Sequence, residues 1–347
     1  MTLLRWLGPW AAAQRAPRVS LRREPGAVEL LIYGEPLRGE SRAGVYVVTP
    51  GIHHQGPDDP RLDRFCRVLA AAGFVVVAPR LPDFLDLRVA EGTSRQLAPA
   101  FERAEALSLA HRLGRVSLFS ISFGSMPALE LAAHPDYRER VGRLVLFGGF
   151  CDFEPTIRHA VFGAQRDPLN SPVIFANLLW RLGPEAEPGL DRAAVLAAWR
   201  AMVEETWGRM ELKLEGRRDP IAHAIAARLG ARERMLFLAG CGLDDSARGW
   251  FEAALSQVLG QLAFTDPRPH LSRLRAPVTL VHGRDDDVIP VVEAEKLSAA
   301  LGAHPHQLLL TGFYGHTGSA LPSPRSLLGE ARTMLSILRA LSEAAAP

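Results

Sequence analysis

The chain has 347 residues, of which 48% are hydrophobic and 22% charged, as expected for a soluble globular protein with a sizeable core. Its formal net charge is +2, and basic and acidic residues alternate along the chain, which argues against a nucleic-acid-binding surface. No apolar run approaches the roughly 20 residues of a membrane-spanning helix, so we expect no integral membrane association.

The first segment, residues 1–17, is apolar but lacks the length and charge order of a secretion signal, which favours a cytoplasmic protein. We expect this segment to pack against the protein itself. The three cysteines, Cys66, Cys151 and Cys241, are odd in number and widely spaced. This spacing predicts small buried thiols and excludes both a disulfide framework and a metal knuckle.

Short β-rich runs alternate with helical patterns from residue 18 onwards. Residues 27–34 and 43–51 predict two strands, which we expect to pair antiparallel across a short turn. Residues 60–73 carry apolar side chains at helical spacing and end in glycine, a helix stop signal. The continuous apolar run 74–79 is typical of a strand that is buried on both faces.

The same alternation continues to residue 150. Residues 96–114 predict a helix and 115–121 a strand, and a second helix then ends near His134 before a strand at 141–149. Strands that alternate with helices are joined by right-handed crossovers and form a parallel sheet.

Residues 151–270 show several helical patterns and no convincing strand. The longest pattern covers residues 190–216, in which apolar or small side chains recur every three or four positions: Val195, Trp199, Met202, Thr206, Met210 and Leu214. Proline-rich breaks such as residues 182–189 separate the helical pieces.

The strand–helix alternation returns at the C-terminal end, with strands at 276–283 and 306–312 and a helix at 325–343. We therefore predict one mostly parallel sheet flanked by helices. Its two parts are residues 18–150 and 271–347, and residues 151–270 form a helical insertion.

The junction at residues 115–133 raises the functional question, because a buried strand passes into a helix with only Ser-Phe-Gly between them. A side chain at such a corner stands in the crevice beyond the carboxyl ends of the strands, where ligands bind. The turn needs small residues two positions away on either side of Ser122, and Ser120 and Gly124 meet that need. The helix N-terminus also points its N–H groups at an anion bound there.

The pentapeptide Ser120-Ile121-Ser122-Phe123-Gly124 resembles the G-x-S-x-G nucleophile elbow of the α/β-hydrolases, in an S-x-S-x-G variant. The resemblance implies the α/β-hydrolase fold with a helical lid inserted after strand six, and Ser122 as the nucleophile. A helix-capping serine is the alternative interpretation of the same residues.

The family order of a catalytic triad is serine, acid, histidine. The segment "VTLVHGRDDDVIP" resembles the family's strand-seven ending, and its spacing assigns the acid to Asp286, between Asp285 and Asp287. The segment "LLLTGFYGHTGS" resembles the terminal histidine loop and assigns His316. Some family members take the acid from the loop after strand six, where Asp152 is the alternative.

The segment "VVTPGIHHQGPDDP" resembles the family's oxyanion loop, with Pro50 in place of a histidine. This resemblance implies that the backbone N–H groups of Ile52 and Phe123 are the two oxyanion donors. His53 and His54, near Asp58 and Asp59, could suggest a metal site. Adjacent residues of an extended loop point in different directions, however, so we expect neither a metal nor a cofactor.

The resemblance implies a serine hydrolase that cleaves a carboxylic ester through an acyl-enzyme, with a small-molecule ester as its partner. The apolar insertion favours a substrate with an apolar acyl or alcohol group. A non-catalytic ligand-binding protein of the same fold is the alternative from another class. A thioesterase or acyltransferase would use the same triad, and the sequence leaves a homodimer open.

Overall fold

The computed structural model describes residue 3 and residues 15–36, 42–313 and 327–343. Eight strands form one sheet in the order β1-β2-β4-β3-β5-β6-β7-β8. The strands are β1 Leu21–Glu24, β2 Leu30–Tyr33, β3 Gly44–Thr49, β4 Phe74–Pro79, β5 Val116–Ile121, β6 Val141–Phe147, β7 Val278–Gly283 and β8 His306–Thr311. All neighbours from β4 to β8 are parallel, whereas β2 runs antiparallel to both β1 and β4. The predicted mostly parallel sheet is confirmed.

The helices that alternate with these strands are α1 Pro60–Ala71, α2 Pro82–Leu85, α3 Thr93–His111 and α4 Ser125–Ala133. In the C-terminal part they are α11 Arg268–Leu271, α12 Val291–Leu301 and α13 Leu327–Ser342. The longer of these helices agree with the sequence patterns to within a few residues at each end.

The centre of the sheet is apolar on both faces. Every residue of β3 and β4 is buried, as the continuous run at 74–79 predicts. Tyr46 of β3 is also fully buried, and its hydroxyl donates to the backbone oxygen of Leu341 in α13 at 2.9 Å. This hydrogen bond satisfies a polar atom inside the core and joins the last helix to the sheet.

The expected antiparallel pairing of residues 27–34 with 43–51 is wrong. Residues Leu30–Tyr33 pair antiparallel with Phe74–Pro79, and the strand at Gly44–Thr49 lies on the far side of that strand. The parallel β3–α1–β4 crossover inserts β4 between the two strands that are consecutive in sequence. Residues Leu21–Glu24, which the patterns did not indicate, form the edge strand beside β2.

The chain forms two compact units. One contains the sheet and comprises the described residues up to Cys151, Pro267–Asp286 and the described residues from Val291 onwards. The other is helical and comprises Asp152–Asp266 with Asp287–Pro290. Its α-helices are α5 Phe153–Phe162, α6 Ser171–Arg181, α7 Arg192–Thr206, α8 Asp219–Ala226, α9 Ala231–Gly240 and α10 Ala247–Val258.

The helical pattern at 190–216 is only partly correct. Val195, Trp199, Met202 and Thr206 are buried as the spacing predicts, but α7 ends at Thr206, and Met210 and Leu214 are exposed. The chain leaves the helix at Trp207, whose backbone is extended with a φ of −67° and a ψ of 142°, and Gly208 follows with a φ of +82°.

Trp199 lies at the centre of the helical unit's core. Its Nε1 donates to the backbone oxygen of Phe237 at 3.1 Å, and its ring lies 6.0 Å from that of Phe175 in an edge-to-face arrangement. Gly240 provides the space for the indole, because a Cβ built at that residue would lie 2.4 Å from Nε1.

The three cysteines are buried free thiols, as the sequence predicts. Burial raises the pKa values of the Cys66 and Cys241 thiols well above the usual range. Among the helices that the structure describes, none has both the length and the apolar character needed to cross a bilayer.

The Gly240 contact generates a stability prediction. Replacing Gly240 with alanine should lower the free energy of unfolding by about 1–3 kcal/mol, because the methyl group overlaps a rigid buried indole. Gly249→Ala is the matched control, since Gly249 is also helical but has no atom within 4 Å of the added Cβ. The control should be neutral or slightly stabilising, because alanine favours a helix over glycine by about 1 kcal/mol. Urea unfolding measures both variants, and equal effects would contradict the packing argument.

Candidate functional site

The corner after β5 has the backbone of a strained turn. Ser122 follows the last strand residue directly and has a φ of +54°, in the left-handed region that non-glycine residues rarely adopt. Residues Ser122–Gly124 form one 3₁₀ turn, and α4 begins at Ser125. Ser122 is half-buried and lies at the carboxyl edge of the sheet.

The loop after β3 packs directly against this corner. A Cβ on Gly124 would lie 2.2 Å from the backbone oxygen of Pro50, so this position has room only for glycine. A Cβ on Gly51 would meet the backbone oxygen of Ile121 at 3.3 Å and the Cβ of Ser122 at 3.4 Å. The sequence argument identified the need for a small residue at 124 but did not identify Pro50 as its cause.

Ser120, the serine in place of the family's first glycine, is completely buried on β5 beside Thr49 of β3. The hydroxyls of Ser120 and Thr49 find no hydrogen-bond partner among the described residues. The side chain at position 120 is therefore enclosed by its neighbours, which explains why a residue almost as small as glycine occupies it.

Phe123 is held by two aromatic neighbours that the sequence analysis missed. Its ring stacks on Phe150 at 5.7 Å and contacts the edge of Phe84 at 5.9 Å. Phe150 belongs to the loop after β6, and the next residue, Cys151, donates its backbone N–H to Glu293 of α12 at 3.2 Å. These contacts fix the backbone that carries the Phe123 N–H.

The three consecutive aspartates after β7 have different surroundings. Asp285 is exposed and Asp286 is buried. The Oδ2 of Asp286 lies 3.5 Å from Nε2 of His282, whose side chain is completely buried on β7. Asp287 belongs to the helical unit, where its Oδ2 lies 2.5 Å from Nζ of Lys213.

The alternative acid, Asp152, lies at the start of the helical unit and precedes α5. Its backbone oxygen accepts hydrogen bonds from both the N–H and the hydroxyl of Thr156, at 3.3 and 2.7 Å. Asp152 thus has a clear structural function as the residue from which the first turn of α5 starts. His316, the predicted histidine, lies outside the described residues.

The residues after Gly51 form a tight loop in which His53 has a structural role. His53 Nε2 lies 3.2 Å from Oδ2 of Asp59, and its Nδ1 accepts the backbone N–H of Gln55 at 3.1 Å. Burial lowers the pKa of His53 to about 4, although the carboxylate of Asp59 opposes this shift. The imidazole is therefore neutral at pH 7. His54 stacks on His53 with ring centroids 4.6 Å apart.

Asp59 begins α1 and shows why this loop is rigid. Its carboxylate accepts the backbone N–H groups of Arg61 and Leu62 and also pairs with the Arg61 guanidinium at 3.0 Å. Burial would raise the pKa of Asp59, but the hydrogen bonds and charge of Arg61 and the neighbouring His53 hold it below its usual value. In the described part of the chain, no three His, Cys, Asp or Glu side chains are arranged to hold a metal ion.

The strand order places the candidate residues at one edge. Strands β5, β6 and β7 are adjacent and parallel, so Ser122, Phe150 and Asp286 all follow carboxyl ends on the same side of the sheet. This edge brings together a half-buried serine, a buried carboxylate and the N-terminus of α4, groups that would suit attack on a polarised carbonyl.

The amino-acid sequence matches no protein-family model and no curated protein. Many solved structures match its fold, among them three with a TM-score of 0.50. An acylaminoacyl peptidase in complex with Z-Gly-Gly-Phe-chloromethyl ketone is 10% identical; the match covers 95% of this chain and 42% of the peptidase. An esterase of Pyrococcus furiosus is 9% identical, with 95% and 92% covered.

A third structure, Est1E from Butyrivibrio proteoclasticus, is 10% identical, and the match covers 94% of this chain and 100% of Est1E. The chain thus spans less than half the length of the peptidase and nearly the whole length of the other two proteins. Such low identities bear on the fold alone. With the sheet order and the turn at Ser122, they show that this chain has the α/β-hydrolase fold.

Proposed function

We propose that the protein is a serine hydrolase that cleaves a carboxylic ester through an acyl-enzyme, with Ser122 as nucleophile, His316 as base and Asp286 as the acid that orients the base. The observation that carries this proposal is the positive φ of Ser122 between β5 and α4. Such strain costs on the order of 1–3 kcal/mol and persists where the surrounding structure enforces it. A serine that only capped a helix would adopt an ordinary extended conformation.

The sheet geometry supports the choice of Asp286. Neighbouring strands lie about 4.8 Å apart, so the end of β7 lies about 10 Å from the end of β5. One imidazole inserted between the two ends can accept a hydrogen bond from the serine on one side and donate one to the carboxylate on the other. The burial of Asp286, in contrast to exposed Asp285, also suits an acid that orients a base, because water screens its interaction with an imidazolium less.

In the proposed reaction, the base takes the proton of the Ser122 hydroxyl while the serine oxygen attacks the ester carbonyl. The tetrahedral intermediate then collapses, and the alcohol leaves with the proton from the imidazolium. Water, deprotonated by the same imidazole, attacks the acyl-enzyme and releases the carboxylic acid together with free Ser122.

The negative oxygen of the intermediate would bind the backbone N–H groups of Ile52 and Phe123. Removing one such donor in other enzymes costs roughly 3 kcal/mol of transition-state stabilisation. The close approach of Gly51 to Ser122 and the aromatic contacts of Phe123 support this assignment, because they hold both backbone segments beside the nucleophile.

An ester is the favoured substrate class because one structural neighbour is named an esterase, and the match covers nearly the whole length of both proteins. The proposal of an apolar acyl or alcohol group rests on the apolar composition of the helical insertion at 151–270, which we propose to be the lid. Trp199 and Met202 do not contribute to this argument, since both are buried inside the core of that unit.

The nucleophile assignment predicts covalent labelling. A fluorophosphonate should modify the folded wild-type protein at Ser122, and peptide mass spectrometry should identify that residue. Ser122→Ala should abolish labelling and lower ester hydrolysis by at least about a thousandfold. Ser125→Ala is the control, because Ser125 is a buried serine only three residues further along the chain and should remain unlabelled in every variant. A wild-type protein that binds esters without being labelled would favour the non-catalytic alternative.

The acid assignment predicts a contrast between adjacent aspartates. Asp286→Asn should lower kcat by about a thousandfold or more, because the base would lose the carboxylate that fixes its tautomer. Asp285→Asn removes the same charge one residue earlier at an exposed position and should change kcat less than threefold. Steady-state kinetics on a p-nitrophenyl ester measures both. A large loss in Asp152→Asn with little loss in Asp286→Asn would transfer the role to Asp152.

The substrate proposal predicts a dependence on chain length. Along a series of p-nitrophenyl esters from acetate to octanoate, kcat/KM should rise, because each additional buried methylene contributes up to about 0.8 kcal/mol. Preference for acetate would contradict the apolar-substrate proposal and leave the nucleophile assignment intact. Faster reaction with matched thioesters would assign the enzyme to that class instead.

A further inference from the structure

A second buried acid lies next to the proposed site and has no role in the chemistry described above. Glu330, in the first turn of α13, is only 5% exposed. Its Oε2 accepts the hydroxyl of Thr311 at 3.0 Å and the backbone N–H of Gly312 at 2.9 Å. Burying a carboxylate is unfavourable unless hydrogen bonds compensate, so these contacts are the reason that this acid can be buried.

Both partners of Glu330 lie at the carboxyl end of β8. Thr311 is the last residue of the strand, and its Oγ1 also accepts the backbone N–H of Phe313 at 3.1 Å. The carboxylate and the hydroxyl together hold the backbone of residues 311–313. His316 follows Phe313 by three positions in the sequence.

The same carboxylate reaches the end of β7. Arg284, the first residue after that strand, places its Nε 3.7 Å from Oε1 of Glu330. The backbone N–H of Arg284 donates to the oxygen of Thr311 at 2.8 Å, and its Nη2 donates to the oxygen of Leu310 at 3.2 Å. Arg284 precedes Asp286 by two positions.

An acidic residue in a first helical turn is favourable because of the helix dipole, and this effect alone could account for a glutamate at position 330. The dipole, however, requires neither burial nor contact with strands. Glu330 instead directs its oxygens to the ends of two strands, both of which lead to residues of the proposed triad.

We propose that Glu330 is a positioning residue for the triad: it fixes the ends of β7 and β8, the two strands that Asp286 and His316 follow in the sequence. This inference rests on the proposed function. Glu330 acts through Thr311, Gly312 and Arg284 and does not touch substrate. Its loss should therefore lower the rate of the chemical step more than the affinity for substrate.

The test compares Glu330→Ala and Glu330→Gln with the wild type. In Glu330→Ala we expect kcat to fall at least tenfold, with KM within about twofold. The rate of fluorophosphonate labelling should fall in parallel. Glu330→Gln keeps one oxygen that can accept from Gly312 and should recover part of the loss. Glu343→Gln, at an exposed acid of the same terminal region, is the matched control and should leave kcat unchanged.

Hydrogen exchange gives a readout that is independent of activity. The amides of Gly312 and Phe313 should exchange at least tenfold faster in Glu330→Ala than in the wild type, while amides in the helical unit keep their rates. If Glu330→Ala does not fold, Thr311→Val removes the bridging hydroxyl at nearly constant volume, and the same two readouts apply.

Several outcomes would overturn the proposal. Unchanged exchange at Gly312 and Phe313 would show that Glu330 does not hold the strand end. Faster exchange with unchanged kcat would show that Glu330 stabilises the end of β8 without positioning the triad. A wild-type protein that is neither labelled nor active would overturn the proposed hydrolase function, and exchange would still report whether Glu330 holds the strand end.

Discussion

The site depends on the close approach of two backbone segments at the corner after β5. The oxygen of Pro50 lies so close to Gly124 that no side chain can stand between them, and this approach brings Gly51 against Ser122. The turn that permits it gives Ser122 its positive φ. The pairing of buried β5 with β3, together with the contact between Gly124 and Pro50, holds the turn in this strained conformation. Packing in the core thereby holds Ser122 in a strained conformation at the carboxyl edge of the sheet.

Buried carboxylates carry out a related task at the other strand ends. Glu293 accepts the N–H of Cys151 after β6, and Glu330 accepts that of Gly312 after β8. Both acids lie on helices that pack beside the C-terminal half of the sheet, and both bind backbone groups that the strands leave unpaired where they end. A charged acceptor makes a stronger hydrogen bond than a neutral one, and inside the protein it is less screened by water. The strand ends around the site are thus held by charge as well as by packing.

The sequence patterns predicted the parallel part of the fold well because its strands and helices are specified by residues that are close together in the chain. The buried run at β4, the helix before it and the corner at Ser122 each follow from residues that are close together in the sequence. Pairing between strands that are distant in the sequence cannot be predicted from such local patterns. The expected partner of β2 was therefore wrong. The helix at 190–216 was extended too far because the apolar spacing continues past Thr206, whereas the backbone becomes extended at Trp207. Glu330 could not have been identified, since its partners lie at residues 284 and 311–312 and no local pattern connects them.

The three consecutive aspartates after β7 differ in their surroundings, and these differences are the basis for choosing one of them as the proposed acid. They have the same side chain and are consecutive, yet Asp285 is exposed, Asp286 is buried beside His282 and Asp287 pairs with Lys213. The backbone N–H of Asp167 also donates to the oxygen of Asp287 at 2.7 Å, so Asp287 is held on both its backbone and its side chain. An acid already neutralised by lysine has less negative charge to offer an imidazolium, and an exposed one is screened by water. Of the three, Asp286 is the one whose carboxylate is buried on the sheet-bearing unit, beside His282, and this difference in burial is why we propose it as the acid that orients the base.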